Sequence, residues 1–151
     1  MSKIYLFADD TKIYREIKDE GDYLWLQEDL NSMNYWSEKW LLKFHPGKCH
    51  VLDIGNKDET NRYEYKIEGK ILEYVNQEKD LGVTTDRELN FKAHISEKVN
   101  KANSIAGVIR RSFIALDEYI FKKLFTALVR PHLEYAQSVW SPYWVADITA
   151  I

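Results

Sequence analysis

Apolar positions change their spacing several times along the chain, and each change predicts a different element. Residues 3–7, Lys-Ile-Tyr-Leu-Phe, and 11–17, Thr-Lys-Ile-Tyr-Arg-Glu-Ile, are short apolar and aromatic runs that read as strands. Ala8, Asp9 and Asp10 between them are small, turn-forming residues. The expectation is a β-hairpin with two carboxylates at its tip. A spacing of three and four then takes over. Tyr23, Leu26, Leu30, Met33, Trp36 and Trp40 fall on one face of a helix over about residues 20–43, and Trp36 and Trp40 are expected in the core. Asp19 or Asp22 can cap its start. His45-Pro46-Gly47 is expected to end it, because Pro disfavours helix in the residue before it and Gly tolerates turn geometry.

Strand-like runs return at residues 48–54, around Tyr63–Ile67 and Ile71–Val75, and at Leu81–Thr85. The polar stretch 55–62 has no period and reads as a loop, and Glu68-Gly69-Lys70 reads as a hairpin turn. From Phe91 the period is helical again: Phe91, Ile95, Val99, Ala102, Ile105, Ala106, Ile109 and Phe113 form one stripe. Residues 112–116 break it, and Asp117 can cap a helix that carries Ile120, Leu124, Ala127 and Leu128 towards Pro131. Leu133, Ala136, Val139 and Trp140 suggest a last helix before Pro142. The fold class expected is α+β: strands and one long amphipathic helix in residues 1–86, then helices in 87–151.

Composition narrows the class without naming a function. The 151 residues are 45% hydrophobic and 30% charged, as in a soluble globular protein. No apolar run reaches the length of a membrane span, and the start does not read as a secretory leader, so no membrane role is expected. Cys49 is the single cysteine, which excludes an internal disulfide and a cysteine zinc site and favours an intracellular setting. Its plain reading is a small buried hydrophobe. His45, His50, His94 and His132 lack the spacing of metal ligands. The net charge of −3 is uneven: residues 1–86 hold 12 Lys+Arg and 18 Asp+Glu, and residues 87–151 hold 9 and 6. A nucleic acid would favour the second part, although a solvated surface accounts for so modest an excess.

Asp9 and Asp10 are the first candidates for chemistry. Adjacent carboxylates at a hairpin tip offer oxygen ligands to divalent cations; a surface turn, where Asp is common, is the plain alternative. Their setting adds weight. Leu6-Phe7-Ala8-Asp9-Asp10-Thr11 resembles the aromatic-x-Asp-Asp box of reverse transcriptases, in the Phe-Ala-Asp-Asp form typical of jockey-like non-LTR retrotransposons. Leu26-Gln27-Glu28-Asp29-Leu30, Trp36 and Trp40 are similar to the helix that follows that box. Leu42-Lys43-Phe44-His45-Pro46-Gly47-Lys48-Cys49 resembles the family's lysine motif, with His45 where the family often has Asn. Lys79-Asp80-Leu81-Gly82-Val83, continued by Leu89 to Ile95, resembles the primer-grip segment. Ala127 to Ala136, with Val139 and Trp140, resembles the end of the thumb.

The resemblance covers about residues 3–144 and implies a partial palm over 1–86 and a helical thumb over 87–151. It implies that Asp9 is a metal ligand, with Asp10 its weaker neighbour, for Mg²⁺ or Mn²⁺. Lys48 would protonate the departing pyrophosphate or steady its charge, the alternative being an exposed turn cation. Leu81 and Gly82 would approach the primer end; a plain turn or bulge glycine is about as good a reading. Arg110, Arg111, Lys122 and Lys123 would contact phosphates of an RNA template and DNA primer, or form a solvated helix face. Deoxynucleotides are expected to bind only the complete enzyme. An earlier palm strand with a further catalytic Asp is not found in the sequence, so this chain alone is expected to be inactive. The alternatives are a non-enzymatic module that binds nucleic acid or a partner, and an unselected relic.

Overall fold

The first apolar runs close into the expected hairpin. In the computed structural model β1 (Lys3–Phe7) and β2 (Asp10–Tyr14) pair antiparallel, with Lys3 opposite Tyr14 and Phe7 opposite Asp10, leaving Ala8-Asp9 as a two-residue turn. The structure describes residues 2–55, 62–113, 115 and 117–151. The loop read over 55–62 lies largely outside them, as do residues 114 and 116 of the break read over 112–116, where the long second helix ends at Ser112 as expected. The chain forms two compact units, Met1–Val75 and Asn76–Ile151.

In the first unit, α1 (Glu20–Trp40) starts on Asp19, whose carboxylate accepts the Asp22 N–H at 3.2 Å. Arg15, just past β2, reaches the same helix: its Nε donates to Asp22 at 2.9 Å, and the Ser2 N–H donates to Asp29 at 3.1 Å. The base of the hairpin is therefore pinned to two turns of α1. Bonds from the Lys18 N–H and then the Arg15 guanidinium hold the Asp22 carboxyl below the usual carboxylate range.

α1 ends earlier than the sequence suggested, at Leu41, before the Pro46 turn is reached. Leu41 takes a left-handed backbone (φ 58°), the Leu42 N–H bonds back to Ser37 O at 3.0 Å, and the buried Ser37 hydroxyl donates to Leu42 O at 2.7 Å. A leucine supplies the left-handed closure that glycine usually supplies, which is why composition did not reveal it. The core face of α1 is also narrower than expected. Leu30 is buried and Tyr23 and Leu26 pack beside it, but Trp36 and Trp40 are 49% and 61% exposed, which corrects their reading as core residues. They lie at the edge of the stripe that carries Leu30, and Trp25 on the same helix is exposed too.

A single turn over Pro46–Lys48 leads into β3 (His50–Leu52). β4 (Lys66–Ile67) and β5 (Lys70–Ile71) form a hairpin around Glu68-Gly69, both with positive φ, and β6 (Glu73–Val75) pairs with β3. That pairing is parallel, with Val51 opposite Tyr74, so the expectation of antiparallel strands holds for the other ladders only. The core is Leu30, Tyr65, Ile67 and Leu72. A tyrosine cluster closes it: Tyr23 stacks on Tyr63, Tyr65 touches Tyr63 and Tyr74, and the Tyr74 hydroxyl donates to Tyr63 O at 2.9 Å. Burial pushes the Tyr74 phenol up to about 12 and Tyr65 higher still.

The second unit opens with β7 (Gln77–Asp80) and β8 (Val83–Asp86), an antiparallel hairpin whose turn is Leu81-Gly82. The strand read over Leu81–Thr85 is thus two residues of turn followed by strand. α2 (Lys92–Ser112) buries His94, Ile95, Ala102 and Ile109, the spacing its stripe predicted. Asp86 prepares its start: one carboxylate oxygen accepts the N–H of Glu88 and Asn90 at 3.0 and 3.2 Å, the other that of Phe91 at 2.7 Å. α3 (Glu118–Leu124) is capped by Asp117, which accepts the Ile120 N–H at 2.7 Å. The helix then runs through a wide π-helical turn, Phe125–Val129, into α4 (Arg130–Glu134). Pro131 therefore does not end the helix, because the wide turn absorbs the missing donor and the ring's clash with the preceding turn. α5 (Gln137–Trp140) and α6 (Val145–Ala150) follow. Two clusters fill the unit: Val83, Ile95 and Trp140, and Ala102, Ile109 and Val129. Among the described residues no helix is long and apolar enough to cross a membrane.

The side-chain amide of Gln27 completes β4 as a neighbouring strand would. It donates to Lys66 O at 2.9 Å and accepts the Lys66 N–H at 2.8 Å. Gln27→Ala strips the partners from both the N–H and the C=O of Lys66. Both bonds are exposed, so the expected cost is about 0.5–1.5 kcal/mol, read as a lower urea midpoint. An unchanged midpoint would mean that water replaces the amide without loss.

Candidate functional site

Asp9 and Asp10 stand on the first hairpin, whose register leaves them at the turn. Asp9 is the second turn residue, and Asp10 begins β2 opposite Phe7. Both carboxylates are exposed. Strand alternation puts Asp10 on the face of Tyr5, Phe7 and Tyr14. Tyr5 and Tyr14 stack there at 5.6 Å, and Lys3 lies over the Tyr14 ring. The opposite face turns Ile13 to the core. Ala8 holds the turn with φ 51°, a backbone that costs an L-residue about 1–2 kcal/mol.

A divalent cation of the Mg²⁺ kind takes about six oxygens, and a pair of ions needs more. Asp9 and Asp10 supply part of such a set. Among the described residues no group of three His, Cys, Asp or Glu gathers to hold a metal. The residues described here therefore do not by themselves fit a pair of metal ions, and no step is derived through one.

Lys48 closes the short turn after α1 and is exposed. Its N–H donates to His45 O at 2.8 Å, and the Cys49 thiol donates to the same oxygen at 3.4 Å. The backbone carbonyl of His45 thus closes this turn, and its side chain makes no capping bond. Cys49 packs against the first core, and burial pushes its thiol pKa up, so it is held as a thiol.

The other candidates belong to the second unit. Leu81 (φ 46°) and Gly82 (φ 82°) are the two central residues of the β7–β8 turn, both in the left-handed region, as the tightest hairpins require. The Tyr135 hydroxyl donates to Leu81 O at 2.9 Å. The hairpin stem is fixed by the buried Val83 and by the Thr84 N–H, which donates to His94 Nδ1 at 3.2 Å. His94 is fully buried and lies edge-on to Trp140 at 5.2 Å. Since Nδ1 accepts, the neutral ring carries its proton on Nε2, which has no hydrogen-bond partner among the described residues. Burial chiefly, with Lys98 and Lys79 adding to it against Glu97, lowers the His94 pKa.

Arg110 and Arg111 are exposed at the end of α2, and Lys122 and Lys123 on α3. Lys122 pairs with Glu118 one turn earlier, and Lys123 lies over the Tyr119 ring at 4.6 Å. These cations sit on separate helices, and two already have partners. Sequence reasoning missed three residues that position the candidates: Arg15, Asp86 and Tyr135. For Asp86 the signal was present in Asp86-Arg87-Glu88-Leu89-Asn90, a turn-forming carboxylate just before a helix.

Comparison with known proteins points one way. The chain is 30% identical over 126 residues, 76% of its length, to the RNA-directed DNA polymerase from mobile element jockey of Drosophila funebris. It is 29% identical over 94 residues, 62% of its length, to the protein of the same name from Drosophila melanogaster. It is 34% identical over 74 residues, 46% of its length, to the probable RNA-directed DNA polymerase from transposon BS of Drosophila melanogaster. The matched regions are 13%, 10% and 8% of these relatives, so the chain spans only a small part of their length. No family model and no solved structure matches it.

Two outcomes follow from the local geometry. Ala8→Gly removes the positive-φ strain and is expected to raise stability by about 0.5–1 kcal/mol, measured by urea unfolding; a fall would show that the turn does not keep this backbone. The pH dependence comes from His94. Its folded pKa lies below the unfolded value of 6.5, so the unfolded chain binds the proton more readily. The stability is complete above pH 6.5 and is lost as pH falls towards the folded pKa. The urea midpoint of the second unit should drop between pH 7 and 5, and His94→Leu should flatten that slope.

Proposed function

We propose, for a chain that belongs with the reverse transcriptases of jockey-like non-LTR retrotransposons, that it is part of an RNA-directed DNA polymerase that copies such an element. In this reading residues 1–86 form part of a palm and residues 87–151 a helical thumb. The observation that carries it is the Asp9-Asp10 pair on a two-residue turn whose hairpin is pinned to α1 through Arg15. A short turn with a fixed base presents carboxylate oxygens in a constant direction, as metal-assisted phosphoryl transfer requires. Asp9 and Asp10 would ligate Mg²⁺ or Mn²⁺, which supply the Lewis acid for attack of the primer hydroxyl, with further ligands from outside the described residues. Lys48, exposed on its turn, would steady the charge of the departing pyrophosphate.

The second unit supports the nucleic-acid side of the same reading. Leu81 and Gly82 present a tight turn to the primer end. Arg110, Arg111, Lys122 and Lys123 offer cations to the phosphates of the template–primer duplex. A module that binds nucleic acid without catalysis is favoured over polymerisation for the chain by itself, because no three ligands gather among the described residues.

Primer extension on the purified 151-residue chain, with Mg²⁺ or Mn²⁺, is expected to give no product above the blank. Extension that Asp9→Ala abolishes would overturn this. Binding of an RNA–DNA hybrid, followed by fluorescence anisotropy, should weaken steeply between 50 and 200 mM salt, by about tenfold or more if several phosphates are contacted. Absence of binding at the lower salt would remove the nucleic-acid reading.

A further inference from the structure

The Leu81-Gly82 turn is strained and is held from outside its own hairpin. A two-residue turn with both φ values positive favours Asn or Asp before Gly, because those side chains tolerate the left-handed region. Here a leucine takes that place, at φ 46° and 44% exposed. A non-glycine residue in this region persists only when its surroundings impose it. The stem is well fixed: Val83 is buried with Ile95 and Trp140, and Thr84 bonds to His94. The tip has one bond from elsewhere among the described residues, from the Tyr135 hydroxyl to Leu81 O at 2.9 Å.

Tyr135 also occupies the space beside Gly82. A Cβ placed on Gly82 would meet the tyrosine ring at 3.4 Å, an ordinary van der Waals contact, so the glycine is called for by its φ of 82° and the ring simply packs beside it. Tyr135 is itself locked. It follows α4, its N–H bonds to Pro131 O at 3.1 Å, and its carbonyl accepts the indole N–H of the buried Trp140 at 2.7 Å. Ala136, left-handed at φ 54°, turns the chain so that Trp140 can reach back. A chain of contacts therefore runs from the buried indole through the Tyr135 backbone and phenol to the tip of the hairpin.

We propose that Tyr135 is a positioning residue that fixes the Leu81-Gly82 turn in the shape that meets the 3′ end of a primer. The use of the turn rests on its reading as a primer contact; the tether itself rests on the geometry above. Tyr135 touches no reacting group in this scheme. It acts through the Leu81 carbonyl, and it keeps the exposed Leu81 side chain and the Gly82 backbone in one arrangement.

The test uses the full 151-residue chain and the variant Tyr135→Phe, which keeps the ring against Gly82 and removes the hydroxyl. Asp117→Ala, which removes the cap of α3 in the same unit, serves as a control of similar stability loss. Amide exchange at Gly82 and Val83 is measured by NMR. Affinity is measured for an RNA–DNA hybrid with a recessed DNA 3′ end and for the same hybrid with blunt ends. Tyr135→Phe is expected to speed exchange at the turn by about fivefold, the equivalent of one net hydrogen bond. It should also erase the preference for the recessed end, whereas Asp117→Ala should change neither. Unchanged exchange in Tyr135→Phe would overturn the tether. Faster exchange in a chain that never preferred the recessed end would leave the tether standing and overturn its use in primer contact.

Discussion

Trp140 is where the second unit is joined. Its ring is buried against Val83 of the hairpin and Ile95 of α2, stands edge-on to His94, and sends its N–H to the carbonyl of Tyr135. A buried indole of this size removes a large apolar area from water while satisfying its one donor. Hairpin, long helix and C-terminal turn each contribute a wall to that site, so none keeps its geometry without the others. Unit 1 has no equivalent single anchor. Its hydrophobic core of Leu30, Tyr65, Ile67 and Leu72 is flanked by further tyrosines, and the backbone of Lys66 is completed by a glutamine side chain.

The two units are held differently, and the candidate residues follow that difference. The carboxylate turn belongs to an element with large exposed apolar side chains: Leu6 and Phe7 are 72% and 63% exposed. It is fixed at its base by bonds from Arg15 and the Ser2 N–H to α1, and among the described residues no such bond is seen at its tip. The Leu81-Gly82 turn has its stem in a packed core and its tip bonded to Tyr135. Each turn uses a residue other than glycine or asparagine at positive φ, Ala8 in one and Leu81 in the other. The same backbone occurs at Leu41, Glu68, Leu89, Phe91 and Ala136, so it marks chain reversals and helix ends in general and not these two turns alone.

Much of the architecture was legible in the spacing of apolar residues. The first hairpin, α1, α2 and the Asp117 cap of α3 all follow from periods and turn residues. Where the reading failed, one cause recurs. Left-handed residues other than glycine are invisible to composition: Leu41 ended α1 early, Leu81 made a turn of what read as a strand, and Ala136 split the last helix. Trp36 and Trp40 failed for another reason. They share a helical arc with Leu30, but that arc is wider than the surface available to cover it, and period alone does not give the width of the covering surface. The Asp9-Asp10 turn was placed correctly by its neighbours. The bond of the Tyr135 hydroxyl was not legible, because its acceptor, Leu81, lies 54 positions earlier in the chain.

The wide turn at Phe125–Val129 carries a consequence for how this segment can change over time. An α-helix advances about 100° per residue, so one residue gained in a π turn rotates everything after it by that amount. Tyr135 and Trp140 come after it, and Lys122 and Lys123 before it. Removing one residue there would restore a regular helix but swing the tyrosine off the hairpin tip, and would leave Pro131 clashing with the turn before it. Replacing Pro131 first would remove the clash and leave the rotation. Wide turn, proline and tyrosine are thus linked by geometry, and a change in the length of the turn shifts the other two together.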